Sequence, residues 1–289
     1  MASSLSDRVS ARQGAGESRG AAKTDGYFEV EPGVRLRYII DDFTDPWRRA
    51  ETVLMVHGFA ESAEAWRGWV PYLARRYRVV RLDLRGFGGS TPMPETYPWS
   101  MDRVLDDVRA LAAHLGESRV HLVGAKSGGS MVLQLAARDP GFVRSVVGVT
   151  PPTVAAAAAR DWLAQIEAEG VVAFARSTMA GRLGSKAAPA EVAWWVENIQ
   201  GRSPRSTLIG YLRWVNGLDL REEVKKVRCP TLIITTTGSG LRTVEGVKAW
   251  QSQMRDSRLL VLESDAWHAA GALPDECAKA AAEFLAQLT

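Results

Sequence analysis

The 289-residue sequence is poor in cysteine and histidine. Cys229 and Cys277 stand far apart, with no CxxC pair and no metal-type spacing. They exclude a disulfide framework and point to a reduced, cytoplasmic setting. The four histidines are scattered, and no His, Asp and Glu cluster has ligand spacing, so no metal site is expected. No apolar run approaches the roughly 20 residues of a membrane span, and the N-terminal segment has no apolar stretch of the signal type. Net charge is +3 and dispersed, with no basic cluster interleaved with aromatics. That excludes nucleic acid and membrane as evident partners.

What is present is a normal globular balance, 46% hydrophobic and 24% charged, enough for one large α/β domain with an inserted cap. Residues 1–25 are rich in Ser, Ala, Gly and Arg and read as a disordered tail. Tyr27 to Asp41 alternates apolar and polar around Pro32-Gly33, a hairpin pattern. Short apolar runs at 52–56, 78–83, 120–123 and 143–149 alternate with helical patterns at 64–75, 100–115 and 128–138. The alternation resumes with strands at 231–235 and 259–262 and helices at 244–254 and 275–288. This predicts an α/β fold, a mostly parallel sheet covered by helices on both faces. Residues 26–152 and 228–289 form that core. Residues 153–227 read as an inserted helical cap over the carboxyl edge of the sheet, where open α/β sheets bind ligands.

Three segments carry chemistry. His57-Gly58-Phe59-Ala60 follows a buried strand. Gly124-Ala-Lys126-Ser127-Gly128 joins a strand to a helix. His268 follows the last strand in Ser264-Asp-Ala-Trp-His268. With Asp83-Leu-Arg-Gly-Phe-Gly-Gly-Ser90 and Pro230-Thr-Leu-Ile-Ile234, these segments resemble the α/β-hydrolase superfamily, the branch with an HG loop and a helical cap. The resemblance covers nearly everything from Tyr27 onward. It also absorbs Gly86-Phe-Gly-Gly into the hydrolase loop pattern, so no nucleotide cofactor is expected, nor any other.

The resemblance implies a nucleophile elbow, G-x-S-x-G, with the backbone N–H groups of Phe59 and Ser127 as the oxyanion hole. Gly124 and Gly128 match the flanking glycines, and Lys126 stands where serine, cysteine or aspartate is usual. A shifted frame would put Ser127 at the elbow between Ala125 and Gly129. The loop after residue 235, where the family carries its acid, offers Ser239 and no carboxylate until Glu245. His268 is thus expected to lack its usual anionic partner. His57 and Asp83 read as structural, and Glu61 as the carboxylate nearest the pocket mouth.

A lysine at a helix N-terminus under an apolar cap should have a depressed pKa. Three readings follow. The first is an enzyme on an enolisable carbonyl compound, with Lys126 and His268 as catalytic acid and base, or Lys126 as an amine catalyst. C–C cleavage, decarboxylation, cyclisation or isomerisation would then be favoured over ester hydrolysis. The second is a hydrolase using His268-activated water or Ser127. The third is a non-catalytic ligand-binding protein on a decayed fold. In each, the partner is a small molecule. Trp162, Trp194, Trp195, Tyr211, Trp214 and Trp267, with Glu61, are the expected pocket residues, and they favour a bulky apolar or aromatic ligand.

Overall fold

The computed structural model describes residues 23–215 and 217–288. Most of the expected tail lies outside these residues. Lys23–Asp25, also assigned to it, instead open the first strand, where the Asp25 carboxylate accepts from Arg37 Nε at 2.9 Å.

The described residues form one eight-stranded sheet, in the order β1-β2-β4-β3-β5-β6-β7-β8. The strands are β1 (Lys23–Glu31), β2 (Val34–Asp41), β3 (Thr52–Val56), β4 (Arg78–Leu82), β5 (Val120–Ala125), β6 (Val143–Val149), β7 (Thr231–Thr236) and β8 (Ser257–Leu262). The hairpin β1-β2 and the pair β2-β4 are antiparallel, and every other pairing is parallel. β3 and β5 are buried at every position because helices cover both faces, which is why they read as unbroken apolar runs. Alternate side chains still part. Leu54 and Val56 join one core with Val104, Val108 and Met131, whereas Val53 and Met55 join the other with Trp66, Trp69 and Phe284.

The covering helices are α1 (Val70–Leu73), α2 (Met101–His114), α3 (Ser127–Arg138), α8 (Val244–Gln251), α9 (Ala269–Ala272) and α10 (Pro274–Ala286). Ser100 caps α2, its hydroxyl accepting from Arg103 N–H at 3.2 Å. The helix expected over 64–75 is instead a 3₁₀ segment, Ala63–Trp69, followed by the single turn of α1. Pro71 has no N–H to extend the earlier turn, but it suits the start of a new one.

Between β6 and β7 the chain leaves the sheet for α4 (Ala159–Glu169), α5 (Val171–Leu183), α6 (Pro189–Asn198) and α7 (Arg205–Val215). This insertion has a small core of its own, with Met179, Leu183, Trp195 and Ile199. None of the described helices is long and apolar enough to cross a membrane.

β3 lies between β4 and β5, so consecutive strands diverge on either side of it. The carboxyl ends of β3 and β5 therefore flank the crevice where such sheets bind ligands. Two glycines allow the turn there. A Cβ on Gly124 would lie 2.5 Å from the Gly128 carbonyl oxygen. A Cβ on Gly128 would lie 2.2 Å from the Val56 oxygen. The first turn of α3 is thus pressed against the end of β3. Gly128→Ala should destabilise the protein by about 3 kcal/mol through overpacking against backbone. Thermal unfolding measures it, and an unchanged Tm would contradict this close approach.

Candidate active site

The turn from β5 into α3 is made by Lys126 at φ 53 and ψ −123. Few non-glycine residues adopt this conformation, and it marks a strained turn that aims the side chain away from both elements. The Lys126 N–H donates to Val149 O at 2.9 Å, and its carbonyl accepts from Ser130 N–H at 3.1 Å. Ser127 is already the first residue of α3, so the shifted frame with Ser127 at the elbow does not match the backbone. The buried Ser127 hydroxyl faces the Tyr211 hydroxyl, and no histidine or carboxylate among the described residues hydrogen-bonds to it.

The Lys126 ammonium donates to Glu61 Oε1 at 2.9 Å. Glu61 Oε2 accepts from Gly58 N–H at 3.0 Å, and His268 Nε2 stands 3.1 Å from Oε1. That imidazole contact acts chiefly through charge, and neither ring nitrogen of His268 has a well-aligned hydrogen-bond partner among the described residues. Glu61 was expected at the pocket mouth. It is instead 3% exposed, because Ala60 at φ 59 turns the loop inward. His268, expected without an anion, therefore meets one, but through Nε2 rather than Nδ1. Asp265 does not pair with it. Its carboxylate accepts from Ser185 N–H at 3.0 Å.

Charge and burial set the protonation states. Burial alone would raise the Glu61 carboxyl. The charges of His268 and Lys126, each in close polar contact with its oxygens, outweigh it and hold Glu61 well below the usual carboxylate range. Burial, then the Arg182 charge, pushes Lys126 down to about 8, against the opposing pull of Glu61. Burial likewise lowers His268 from its ordinary value.

His57 and Asp83 hold loops. His57 Nδ1–H donates to Gly58 O at 2.8 Å, and Nε2 accepts from Leu84 N–H at 3.0 Å. The Asp83 carboxylate accepts from Ala63 N–H and Gly89 N–H at 2.5 and 2.8 Å.

Above this floor lies a cavity of about 800 Å³, counting the part open to solvent. Its lining includes Phe59, Lys126, Ser127, Trp162, Tyr211, Ser239 and Trp267. Phe59 stacks with Trp162 and Tyr211 at 6.5 and 5.4 Å between ring centroids. Trp267 stacks on Trp162 at 5.8 Å and takes Lys126 Nζ over its face at 5.0 Å. The other expected pocket residues lie elsewhere. Trp195 packs edge-on against His268, Trp194 lies under the Arg67 guanidinium, and Trp214 stacks on Trp99. Glu61 and His268 sit behind Lys126, not in the lining. The sequence reading missed Arg182. It ends α5, is 1% exposed, and lines the cavity with its guanidinium 4.3 Å from the Trp267 centroid.

Lys126 and Glu61 compensate each other, so their removal should be strongly non-additive. Lys126→Met alone, or Glu61→Leu alone, should cost about 3–5 kcal/mol in urea unfolding by leaving the other charge buried and unpaired. The double variant should cost less than either. The Glu61 contribution is complete above the usual carboxylate range and is lost as pH falls below it, because the folded-state pKa is depressed. Additive costs would contradict the pairing.

Comparison with known proteins places this geometry. A family profile described as "alpha/beta hydrolase fold" matches residues 51–190. Bifunctional epoxide hydrolase 2 of Sus scrofa is 32% identical over 133 residues, which is 46% of this chain and 23% of that protein. A fluoroacetate dehalogenase of a Burkholderia species is 37% identical over 97 residues, 32% of each chain. The chain thus matches only about a quarter to a third of these relatives' lengths. An enol-lactonase structure from Burkholderia xenovorans superposes with a TM-score of 0.82 at 20% identity, covering 90% of this chain and all of that one. A bromoperoxidase from Bacillus anthracis gives 0.80 at 19% identity, covering 91% of this chain. The sheet order, the helices on both faces and these likenesses agree: the chain has the α/β-hydrolase fold.

Proposed function

We propose that the chain is an atypical α/β-hydrolase-fold enzyme that moves a proton on an enolisable carbonyl compound. The observation that carries this reading is Lys126 on the cavity floor, with a buried carboxylate behind it. A base whose pKa lies near the working pH is the most effective proton carrier. Burial and Arg182 bring Lys126 to about 8. In this reading the neutral amine takes the α-proton, the C–H electron pair passes into the enolate, and Glu61 balances the ammonium formed. The enolate oxygen is held by the backbone N–H groups of Phe59 and Ser127, at the positive end of α3. Returning the proton to another carbon gives isomerisation. Where a carbon–carbon bond breaks in place of the C–H bond, its electron pair becomes the enolate and the Lys126 ammonium protonates it, which gives cleavage or decarboxylation; attack of the enolate carbon on a second carbonyl of the same molecule, whose oxygen takes the proton, gives cyclisation.

The Lys126–Glu61 hydrogen bond favours acid–base work over Schiff-base chemistry, because a reversible proton on the amine leaves that bond in place, whereas a bond from nitrogen to carbon would displace it. His268 becomes a positioning residue in this scheme, acting through Glu61. A second reading, hydrolysis by water activated at the Glu61–His268 pair, draws support from the partial likeness to epoxide hydrolases and a dehalogenase.

Deuterium exchange at the α-carbon of aryl 1,3-diketones, followed by NMR, tests the proposal. Exchange should rise with pH and level off above about 8, the value to which Lys126 is lowered. Lys126→Met should reduce it by at least about 100-fold. Glu61→Gln removes the group that raises the Lys126 pKa, so the midpoint of the pH profile should move down. Exchange unaffected by Lys126→Met would sink the proton-transfer reading. Retained ligand affinity with no turnover of any carbonyl or ester would favour a non-catalytic binding protein. Borohydride should trap no adduct.

A further inference from the structure

Among the described residues no carboxylate forms an ion pair with Arg182, and Glu61 acts on its charge only from a distance. The Arg182 side chain is packed between rings, 4.3 Å from the Trp267 centroid and 5.6 Å from that of Trp162. Nε lies 3.3 Å from Thr178 Oγ1. With the Gln200 amide turned to satisfy both residues, its oxygen accepts from Nε and Nη2 at 3.0 and 2.9 Å. Nη1 is left with no hydrogen-bond partner among the described residues, on a side chain that lines the cavity. Burial lowers this guanidinium to about 10, which still leaves it charged at neutral pH.

The rest of the lining points the same way. Among the described residues it contains Lys126, Arg182 and Arg242, and no Asp or Glu. Glu61 neutralises Lys126 from behind. Arg242 donates only to backbone oxygens, to Val154 O at 3.0 Å and Leu241 O at 3.3 Å. The cavity therefore carries uncompensated positive charge inside an apolar, aromatic wall. Among the described residues, Thr150 Oγ1 in that wall has no hydrogen-bond partner, and the buried hydroxyls of Ser127 and Tyr211 have only each other. A buried guanidinium with a free donor is held at a cost unless an anion arrives to meet it. Its planar fork suits a carboxylate.

We propose that the ligand is an aromatic carboxylate whose acid group is bound by Arg182 while its ring lies among Phe59, Trp162, Tyr211 and Trp267. The proposal deepens the enolisable-carbonyl reading by giving the substrate a second functional group, and only the reaction rests on that reading. The carboxylate is an anchor and does not react. It fixes the distance from Arg182 to the carbonyl group presented to Lys126.

Binding of unreactive probes tests this apart from turnover. In calorimetric titration of the intact chain, 2-naphthylacetate should bind at least about tenfold tighter than 2-naphthylacetamide, which has the same shape without the charge. The preference should weaken as salt is raised, and both probes should change the emission of the cavity tryptophans. Arg182→Met should bring the two affinities together. If that variant does not fold, Arg182→Lys should retain the preference for the acid in reduced form, since the charge remains and the fork is lost. Equal affinity for acid and amide in the unaltered protein would overturn the proposal. Acid preference without any α-proton exchange would keep the anion site and sink the enolisation reading. Exchange without acid preference would do the reverse.

Discussion

A carboxylate buried to 3% exposure has to be answered where it sits, and Glu61 is the charge around which this site is organised. Its two oxygens meet Lys126, His268 and the Gly58 N–H. Each of those contacts depends on something further out. Lys126 reaches Glu61 because the turn after β5 takes a positive φ, which in turn needs Gly124 and Gly128 on either side. His268 reaches it because the segment after β8 runs back under α5. Neutralising charge by a neighbour, rather than by water, makes the floor of the site rigid. Burial and the Arg182 charge act against that pairing and bring the Lys126 amine down to about 8.

The helical insertion supplies what the sheet cannot. β3, β5 and their loops provide the ionisable floor, and α4, α5 and α7 provide Trp162, Arg182 and Tyr211. Aromatic rings separate the two cations: Lys126 and Arg182 both approach the face of Trp267. A ring quadrupole attracts each cation, so Trp267 lets two positive groups share one cavity with less repulsion than water-free space alone would allow.

Much of this was legible beforehand. Continuous apolar runs gave the parallel strands because both sheet faces are covered. Glycines flanking Lys126 marked its place in the turn from β5 to α3, since neither position has room for a Cβ. The depth of Glu61 was not legible. It lies in the polar stretch Glu61-Ser-Ala-Glu64, which reads as a solvated loop, and only the inward turn at Ala60 buries it. Arg182 was missed for a similar reason. A basic residue in the last turn of a helix ordinarily complements the helix dipole at the surface, and nothing local says that this one is enclosed. The tryptophans divided because the insertion has two inner faces. One faces the cavity, and the other packs against its own core, the His268 loop or α2's approach at Trp99. Helical periodicity marks both as buried and cannot tell them apart.

Arg182 does one more thing through its backbone. Its carbonyl accepts the His268 N–H at 2.9 Å, and three residues on, past Gly184, Ser185 N–H is held by Asp265. The end of α5 is therefore stitched to the loop that carries the imidazole. A movement that lifted this end of the insertion to admit a ligand would drag His268 off Glu61 and disarm the floor in the same motion. The far side of the cavity is tied to the same segment, because Gly238 N–H in the loop after β7 donates to Ser264 O at 2.8 Å. The imidazole is thus tethered from two sides, and a shift of either rim reaches it.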